Sequence, residues 1–102
     1  MKIWLDDIRE PWETNPKDFQ FGKCYWGYSV NEVKKIILAL EEIGEPIELL
    51  DLDHDLGDYA ADGGDGIKLV EWLDETGRHY PIKFHTMNPV GRQNMQAIID
   101  RW

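Results

Sequence analysis

The stretch LLDLDHDLGDY, residues 49 to 59, places an apolar run directly before a cluster of aspartates and one histidine. The apolar run, which Ile47 extends upstream, is typical of a buried strand, and the acidic cluster begins where that strand would end. Carboxylates this close together raise the free energy of ionising one another unless they point into solvent or share a cation. The stretch therefore predicts a buried strand with either a metal site or solvated loop acids at its carboxyl end.

Apolar segments alternate with amphipathic segments along the rest of the chain. The predicted strands are residues 2–5, 24–26, 47–53 and 82–86. The predicted helices are residues 31–43, 67–76 and about 92–102, while residues 10–22 have the composition of a loop with a helical turn. Strands that alternate with helices indicate parallel β-α-β units with right-handed crossovers. The simplest arrangement is an α/β fold with a small flavodoxin-like parallel sheet in the order 2-1-3-4, formed by a single domain over residues 1–102.

Composition restricts the functional classes that fit this chain. Its 102 residues carry 20 acidic and 11 basic side chains, a formal net charge of −9. This charge disfavours nonspecific binding to nucleic acid and to anionic membranes. The single cysteine, Cys24, cannot form an internal disulfide, and no apolar run has the length of a membrane span. We therefore expect a soluble cytoplasmic protein, and the composition does not identify a protein partner.

Two acidic clusters follow two of the predicted strands. Asp6 and Asp7 end the first strand, and Asp53 and Asp55 end the third. In the order 2-1-3-4 these strand ends lie side by side where the winding direction reverses, which is where open α/β sheets bind ligands. Alternation along the third strand places Asp53 and Asp55 on one side and His54 on the other. Because Mg²⁺ and Mn²⁺ prefer carboxylate oxygens, the convergence favours a divalent cation over solvated loop acids.

Two histidines are candidates for proton transfer. His85 ends the fourth predicted strand and His54 lies within the acidic loop. Histidine changes charge near neutral pH, which suits a general acid or base. We expect His85 to be the better candidate, because the end of the fourth strand borders the crevice whichever way the acidic loop turns. A hydrogen-bonded structural role for His85 is the alternative.

Four further polar residues are candidates for substrate binding. Thr86 and Asn88 follow the fourth strand, and the Asn88 amide could donate to a phosphoryl oxygen. Arg9 follows the first acidic pair, where it could bind a phosphate or form an ion pair that holds the loop. Asn94, near the predicted start of the last helix, could bind substrate or act as a polar cap.

Three motifs resemble one known family. LDDIREP at residues 5–11, LDLDHDLG at 50–57 and HTMNPVGRQNM at 85–95 resemble the cyclic-phosphate processing receiver domains, a derivative of the response-regulator receiver fold. The resemblance spans nearly the whole chain. It implies an acidic metal site and a role in handling cyclic phosphates of nucleotides or RNA.

The resemblance also implies roles for individual residues. Asp6 and Asp7 match the acidic pair of receivers, Asp53 matches the phosphoacceptor region, and Thr86 falls near the hydroxyl residue after the fourth strand. The positions that match additions particular to the family are His54, Asp55, His85 and Asn88. An ordinary receiver also carries a lysine on a fifth strand, for which this sequence has no evident counterpart. Phosphorelay signalling is therefore less expected than hydrolysis.

Three hypotheses follow from the sequence. The first is a metal-dependent phosphoester hydrolase that acts on cyclic phosphates of nucleotides or RNA ends, with Mg²⁺ or Mn²⁺ as cofactor. The residues assigned to the metal are Asp6, Asp7, Asp53 and Asp55. The residues assigned to catalysis are His85, His54 and Asp53. The second hypothesis is a noncatalytic receiver-like module that binds metal or phosphate and signals through a partner, and the third is a structural interaction domain.

Overall fold

Four short parallel strands form the sheet in the computed structural model, which describes residues 1–102. The strands are β1 (Lys2–Leu5), β2 (Cys24–Gly27), β3 (Leu49–Leu52) and β4 (Ile82–Phe84). They pair in the order β2-β1-β3-β4, and every pairing is parallel. This confirms the predicted α/β fold and strand order. Both β3 and β4 are shorter than predicted, so the acidic loop and the segment from residue 85 begin beyond the sheet.

Four α-helices and one 3₁₀-helix connect the strands. They are α1 (Pro11–Thr14), α2 (Val30–Glu42), the 3₁₀-helix (Gly57–Ala61), α3 (Gly66–Glu75) and α4 (Pro89–Ile99). The last helix begins before the predicted residue 92, because the side chain of Asn88 accepts a hydrogen bond from the Gly91 N–H and caps it. None of the helices has the length and apolar character needed to cross a membrane.

Helix α2 shows how its sequence sets both ends. The hydroxyl of Ser29 accepts a hydrogen bond from the Glu32 N–H at 3.1 Å, which caps the first turn. Its buried side chains include Val33 and Ile37, as the periodicity predicts. Ile43, which the same periodicity places on the apolar stripe, is 75% exposed because it lies beyond the last helical turn. Helix α2 therefore ends at Glu42, one residue before the predicted end at Ile43.

The two faces of the sheet carry separate cores. Ile3 and Leu5 of β1 belong to a large cluster of 15 buried residues with α2, α3 and α4. Trp4 points to the opposite face and packs against Phe19 and Leu49 in a smaller cluster. Asp51, the register partner of Trp4 on β3, is also buried. Alternation along the strands thus places a charged side chain inside the smaller core, where it requires a partner.

The acidic loop after β3 lies directly against the start of α3. A Cβ at Gly66 would overlap the main-chain oxygen of Asp53, and the Gly66 N–H donates to the His54 carbonyl at 2.7 Å. Only glycine permits this approach, because the obstacle is backbone that has no alternative rotamer. Gly66 therefore fixes the path of the chain through Asp53 and His54.

The variant Gly66→Ala tests this packing. Helix propensity alone would make alanine stabilising by up to about 1 kcal/mol, whereas overlap with the Asp53 carbonyl should destabilise by roughly 1 to 3 kcal/mol. We expect a lower free energy of unfolding in urea denaturation. Gln93→Ala, at an exposed position of α4, is the control and should change stability little. A more stable Gly66→Ala protein would show that the close approach is absent.

Candidate functional site

A cleft of about 240 Å³ lies at the carboxyl edge of the sheet. Its lining residues are Asp6, Asp7, Ile8, Arg9, Asp53, Asp55, Thr86 and Met87. They come from the segments that follow β1, β3 and β4. The structure thus brings together all four residues that the sequence assigned to a metal, with two of the residues assigned to substrate binding.

Asp6 is buried and held by hydrogen bonds on both carboxylate oxygens. Its Oδ1 accepts the N–H groups of Ile8 and Arg9 at 2.8 and 2.9 Å. Its Oδ2 lies 2.9 Å from His85 Nε2 and 3.3 Å from Arg9 Nε. Burial on its own would raise the pKa of Asp6, but the hydrogen bonds from His85 and the two N–H groups outweigh it and lower the pKa. Asp6 is therefore a fixed, ionised carboxylate.

Asp53 is also buried but has weaker partners. Its Oδ1 accepts the N–H of His54 at 2.8 Å, whereas its Oδ2 has only Arg9 Nη2 at 3.6 Å. Burial raises the pKa of Asp53, and the negative charge of Asp6 raises it further. The ionised form of Asp53 thus has one long ion pair, with Arg9, to offset this cost.

Asp7 is a second carboxylate of the cleft with a raised pKa. Burial raises the pKa of Asp7, and the charge of Asp6 adds to the effect. Its side chain lies so close to Gly57 that a Cβ there would be 2.8 Å from Asp7 Oδ2. A divalent cation would offset the repulsion among these acids, and their oxygens are the donors that Mg²⁺ and Mn²⁺ prefer. The carboxylates therefore fit such an ion, and carboxylate oxygens of Asp6 and Asp53 lie within 4.8 Å of each other.

Arg9 is the one basic residue that lines the cleft. Its guanidinium contacts both Asp6 and Asp53, and its side chain is 39% exposed. Its carbonyl accepts a hydrogen bond from Trp4 Nε1 at 2.8 Å, which holds the loop. The structure therefore shows the ion pairs of Arg9 with the two carboxylates. Phosphate binding by the exposed part of the Arg9 side chain stays a prediction.

His85 is enclosed by two carboxylates and an indole ring. Its Nε2 lies 2.9 Å from Asp6 Oδ2 and its Nδ1 lies 2.8 Å from Asp51 Oδ1. Its ring stacks on Trp4 with centroids 3.8 Å apart and planes 3° apart. Burial lowers the pKa of His85, but the hydrogen bonds to Asp51 and Asp6 outweigh burial and raise it. A protonated ring donates to both acids, so His85 has no free ring nitrogen and does not line the cleft.

Asp51 and Trp4 are the site residues that sequence reasoning missed. Asp51 belongs to the acidic stretch but received no role, and Trp4 was read only as part of an apolar strand. Asp51 Oδ2 also accepts a hydrogen bond from Asn15 Nδ2 at 2.9 Å. The sequence contains one signal for the role of Asp51, which is a charged residue flanked by Leu50 and Leu52 inside a predicted strand. A carboxylate buried in a strand requires a hydrogen-bond partner.

His54 lies beside the cleft, behind Asp55. Its Nδ1 is 2.8 Å from Asp55 Oδ1, and this hydrogen bond lowers the pKa of Asp55. Its ring packs on α4, where a Cβ at Gly91 would lie 2.5 Å from it. The Nε2 atom has no protein partner and is not buried. Neither histidine lines the cleft, but only His54 keeps a ring nitrogen without a protein partner, which favours His54 over His85 for proton transfer, the reverse of the preference drawn from the sequence.

The remaining predicted residues fall into two groups. Thr86 lines the cleft, and its Oγ1 accepts the N–H of Asn88 at 3.1 Å. Asn88 caps α4 and its Nδ2 lies 3.3 Å from both oxygens of Asp55, so its amide is already engaged. Asn94 is exposed in the middle of α4 and does not line the cleft, because the helix starts earlier than predicted.

The charge state of His85 makes a testable prediction about stability and pH. Because the folded-state pKa of His85 is raised, its stabilising contribution is complete below the unfolded-state value of about 6.5 and is lost as pH rises through the folded-state pKa. In metal-free buffer, the wild-type free energy of unfolding should fall with rising pH above neutrality, and His85→Gln should fall less steeply. His79→Gln removes an exposed histidine and controls for loss of an imidazole. Equal slopes in wild type and His85→Gln would contradict the charged state.

Comparison with known proteins agrees with this geometry. The family model for the cyclic-phosphate processing receiver domain matches residues 1–101. Searches of curated proteins and of solved structures found no match to the chain. The match covers every strand and helix described above and all residues of the cleft. The chain therefore belongs to the family of cyclic-phosphate processing receiver domains.

Proposed function

We propose that this protein is a metal-dependent phosphoester hydrolase that opens cyclic phosphates of nucleotides or of RNA ends. The observation that carries the proposal is the convergence of four carboxylates with Arg9 and Thr86 in one cleft. A carboxylate-bound histidine with a free ring nitrogen, His54, lies next to them. Family membership supports the substrate class.

The metal would be held by carboxylates of the cleft. Asp6, with its backbone-anchored Oδ1, is the fixed ligand, Asp53 contributes Oδ2, whose nearest cation is Arg9 at 3.6 Å, and Asp7 contributes a second carboxylate of the cleft. Asp55 borders the same space. When bound, Mg²⁺ or Mn²⁺ supplies positive charge that polarises a phosphoryl oxygen and lowers the pKa of water. Burial and the charge of Asp6 raise the pKa of Asp53, and a bound cation would offset the cost of its ionised form.

Arg9 and Thr86 would bind the phosphoryl group. The exposed edge of the Arg9 guanidinium offers donors in a planar fork that matches phosphate oxygens. The Thr86 hydroxyl accepts from the Asn88 N–H, so its own proton remains available to donate to a phosphoryl oxygen. The cleft thus pairs one cation and one hydroxyl donor with its acids.

His54 would transfer the protons. Hydrolysis of a cyclic phosphate forms a bond from water oxygen to phosphorus and breaks one bond from phosphorus to ribose oxygen. A proton leaves the water and a proton reaches the departing oxygen, so one group can serve as base and then as acid. The Asp55 carboxylate at Nδ1 orients the His54 ring, leaving Nε2 for this exchange. His85 acts by positioning Asp6, since both of its nitrogens are engaged.

A noncatalytic receiver-like module is the second candidate. The observation in its favour is that buried Asp53 and Thr86 line the same cleft, since by resemblance Asp53 matches the phosphoacceptor region of receivers and Thr86 falls near their hydroxyl residue. Retention of a phosphoryl group needs cations around it, and Arg9 alone supplies one here. The His54–Asp55 pair beside the cleft favours hydrolysis over retention.

Metal binding should be visible as thermal stabilisation. Millimolar Mg²⁺ or Mn²⁺ should raise the Tm of the wild type by mass action on the folded state. Asp53→Asn should remove that response and should raise the Tm of the metal-free protein, because it deletes a buried carboxylate whose pKa is raised. Differential scanning calorimetry measures both effects. Asp58→Asn removes an equal charge from an exposed position outside the cleft and should keep the metal response, whereas a metal-insensitive wild type would refute the site.

Replacement of His54 should reduce turnover far more than stability. General acid–base catalysis is typically worth about 10²- to 10⁴-fold, so we expect His54→Gln to lower kcat by that order on a nucleoside 2′,3′-cyclic phosphate. His79→Gln is the matched control. Full turnover by a folded, metal-binding His54→Gln variant would rule out His54 as the proton-transfer group.

A further inference from the structure

Two exposed apolar side chains border the acidic cleft. Ile8 is 76% exposed and Met87 is 82% exposed, yet both line the same cleft. The other six lining residues are charged or polar. Single exposed apolar residues are common on protein surfaces and need no explanation. Ile8 and Met87 lie at the same cleft, on loops that follow different strands. We call this pair the apolar rim, and its position at the cleft requires an explanation.

Hydrogen bonds from the cleft itself hold both loops. The Ile8 N–H donates to Asp6 Oδ1 at 2.8 Å. Beside Met87, Thr86 Oγ1 accepts the Asn88 N–H at 3.1 Å, and Arg92 Nη2 donates to the Thr86 carbonyl at 3.3 Å. The apolar rim is thus presented by hydrogen-bonded backbone, so a ligand that contacts it does not have to order the two loops.

The size of the cleft decides which part of a ligand reaches the rim. Pockets that enclose a whole drug-sized ligand have volumes of about 300 to 1,000 Å³. At about 240 Å³ this cleft is smaller, so it has room for a cyclic phosphate and part of its sugar. The rest of a nucleotide must lie at the mouth of the cleft, where Ile8 and Met87 are.

Charge restricts where binding energy can come from. Four carboxylates and one guanidinium line the cleft, and the chain carries a net charge of −9. Long polyanions gain affinity by many contacts between phosphates and basic residues, whereas Arg9 is the one basic residue that lines this cleft. Apolar contact with the organic part of a small ligand is therefore the available source.

We propose that Ile8 and Met87 form a nucleobase-binding rim for a nucleoside cyclic phosphate whose phosphoryl group enters the cleft. This inference rests on the proposed function. It assigns a binding site to the nucleobase, the part of the substrate for which the acidic residues provide none. A branched aliphatic side chain covers the flat face of a base, and a thioether makes favourable contacts with aromatic rings. Neither side chain reads hydrogen-bonding groups, so the rim accepts any base and gains most from a purine, which has the larger apolar area.

Methyl NMR tests the contact directly. The chain has three methionines, and with ¹³C-methyl labelling Met87 can be compared with Met95, which is buried in the core. The probes are adenosine 2′,3′-cyclic phosphate and the base-free glycerol 1,2-cyclic phosphate, each added with Mg²⁺. The ring current of adenine should shift the Met87 methyl resonance upfield, and the base-free probe should not. The Met95 resonance should stay in place with both.

Variants test the contribution of the rim to specificity. For Ile8→Ser and for Met87→Gln, we expect kcat/KM for the adenosine probe to fall roughly tenfold relative to kcat/KM for the glycerol probe. Ile43→Ser is the matched control, because Ile43 is 75% exposed and lies outside the cleft. An octanucleotide that ends in adenosine 2′,3′-cyclic phosphate should be no better a substrate than the free nucleotide.

The outcomes separate this inference from the proposed function. Turnover of both probes with no Met87 shift and an unchanged ratio in the variants would overturn the rim and leave the hydrolase intact. A Met87 shift without turnover would support the rim and refute hydrolysis. No shift at saturating adenosine probe overturns the rim whatever the activity. A ratio that falls equally in Ile43→Ser would also overturn it, since the effect would then be unrelated to the cleft.

Discussion

The site depends on a buried charged triad formed by Asp6, His85 and Asp51. The imidazolium of His85 lies between the two carboxylates at 2.9 and 2.8 Å and stacks on the Trp4 ring. These residues belong to or directly follow three adjacent strands, so the triad joins the carboxyl edges of β1, β3 and β4. Removing one partner from a buried ionic group leaves an uncompensated charge, which is strongly destabilising. The position of the Asp6 carboxylate in the cleft is therefore set in part by His85 and Asp51, which do not line the cleft.

The triad also divides the polar residues into two sets with different duties. Asp6, His85 and Asp51 satisfy one another and hold the geometry. Burial and like charge raise the pKa of both Asp53 and Asp7. A carboxylate whose ionised form is destabilised in the folded protein is one that a bound ligand can stabilise. We therefore attribute positioning to His85 and Asp51, which do not line the cleft, and locate ligand binding at Asp53 and Asp7 together with Asp6, the carboxylate that the triad holds in place.

The sequence predicted the architecture and the acids of the cleft because both follow from local pattern. Alternating strands and helices determine a parallel sheet, and residues that end neighbouring strands, such as Asp6 and Asp53, meet at its edge. The sequence favours His85 for proton transfer but does not show that both of its ring nitrogens are engaged, because these contacts depend on strand register. The choice between His85 and His54 stays a prediction. Asn94 was misplaced because the cap at Asn88 starts α4 earlier than its apolar pattern indicates.

The most direct test of the account is a ³¹P NMR time course of adenosine 2′,3′-cyclic phosphate with the protein and Mg²⁺ or Mn²⁺. Cyclic and monoester phosphates have well-separated resonances, so the spectrum reports bond cleavage without a coupled assay. The account predicts that the monoester signal grows only when protein and metal are both present, and that chelation stops it. A cyclic phosphate resonance that stays unchanged with saturating protein and metal would contradict the account.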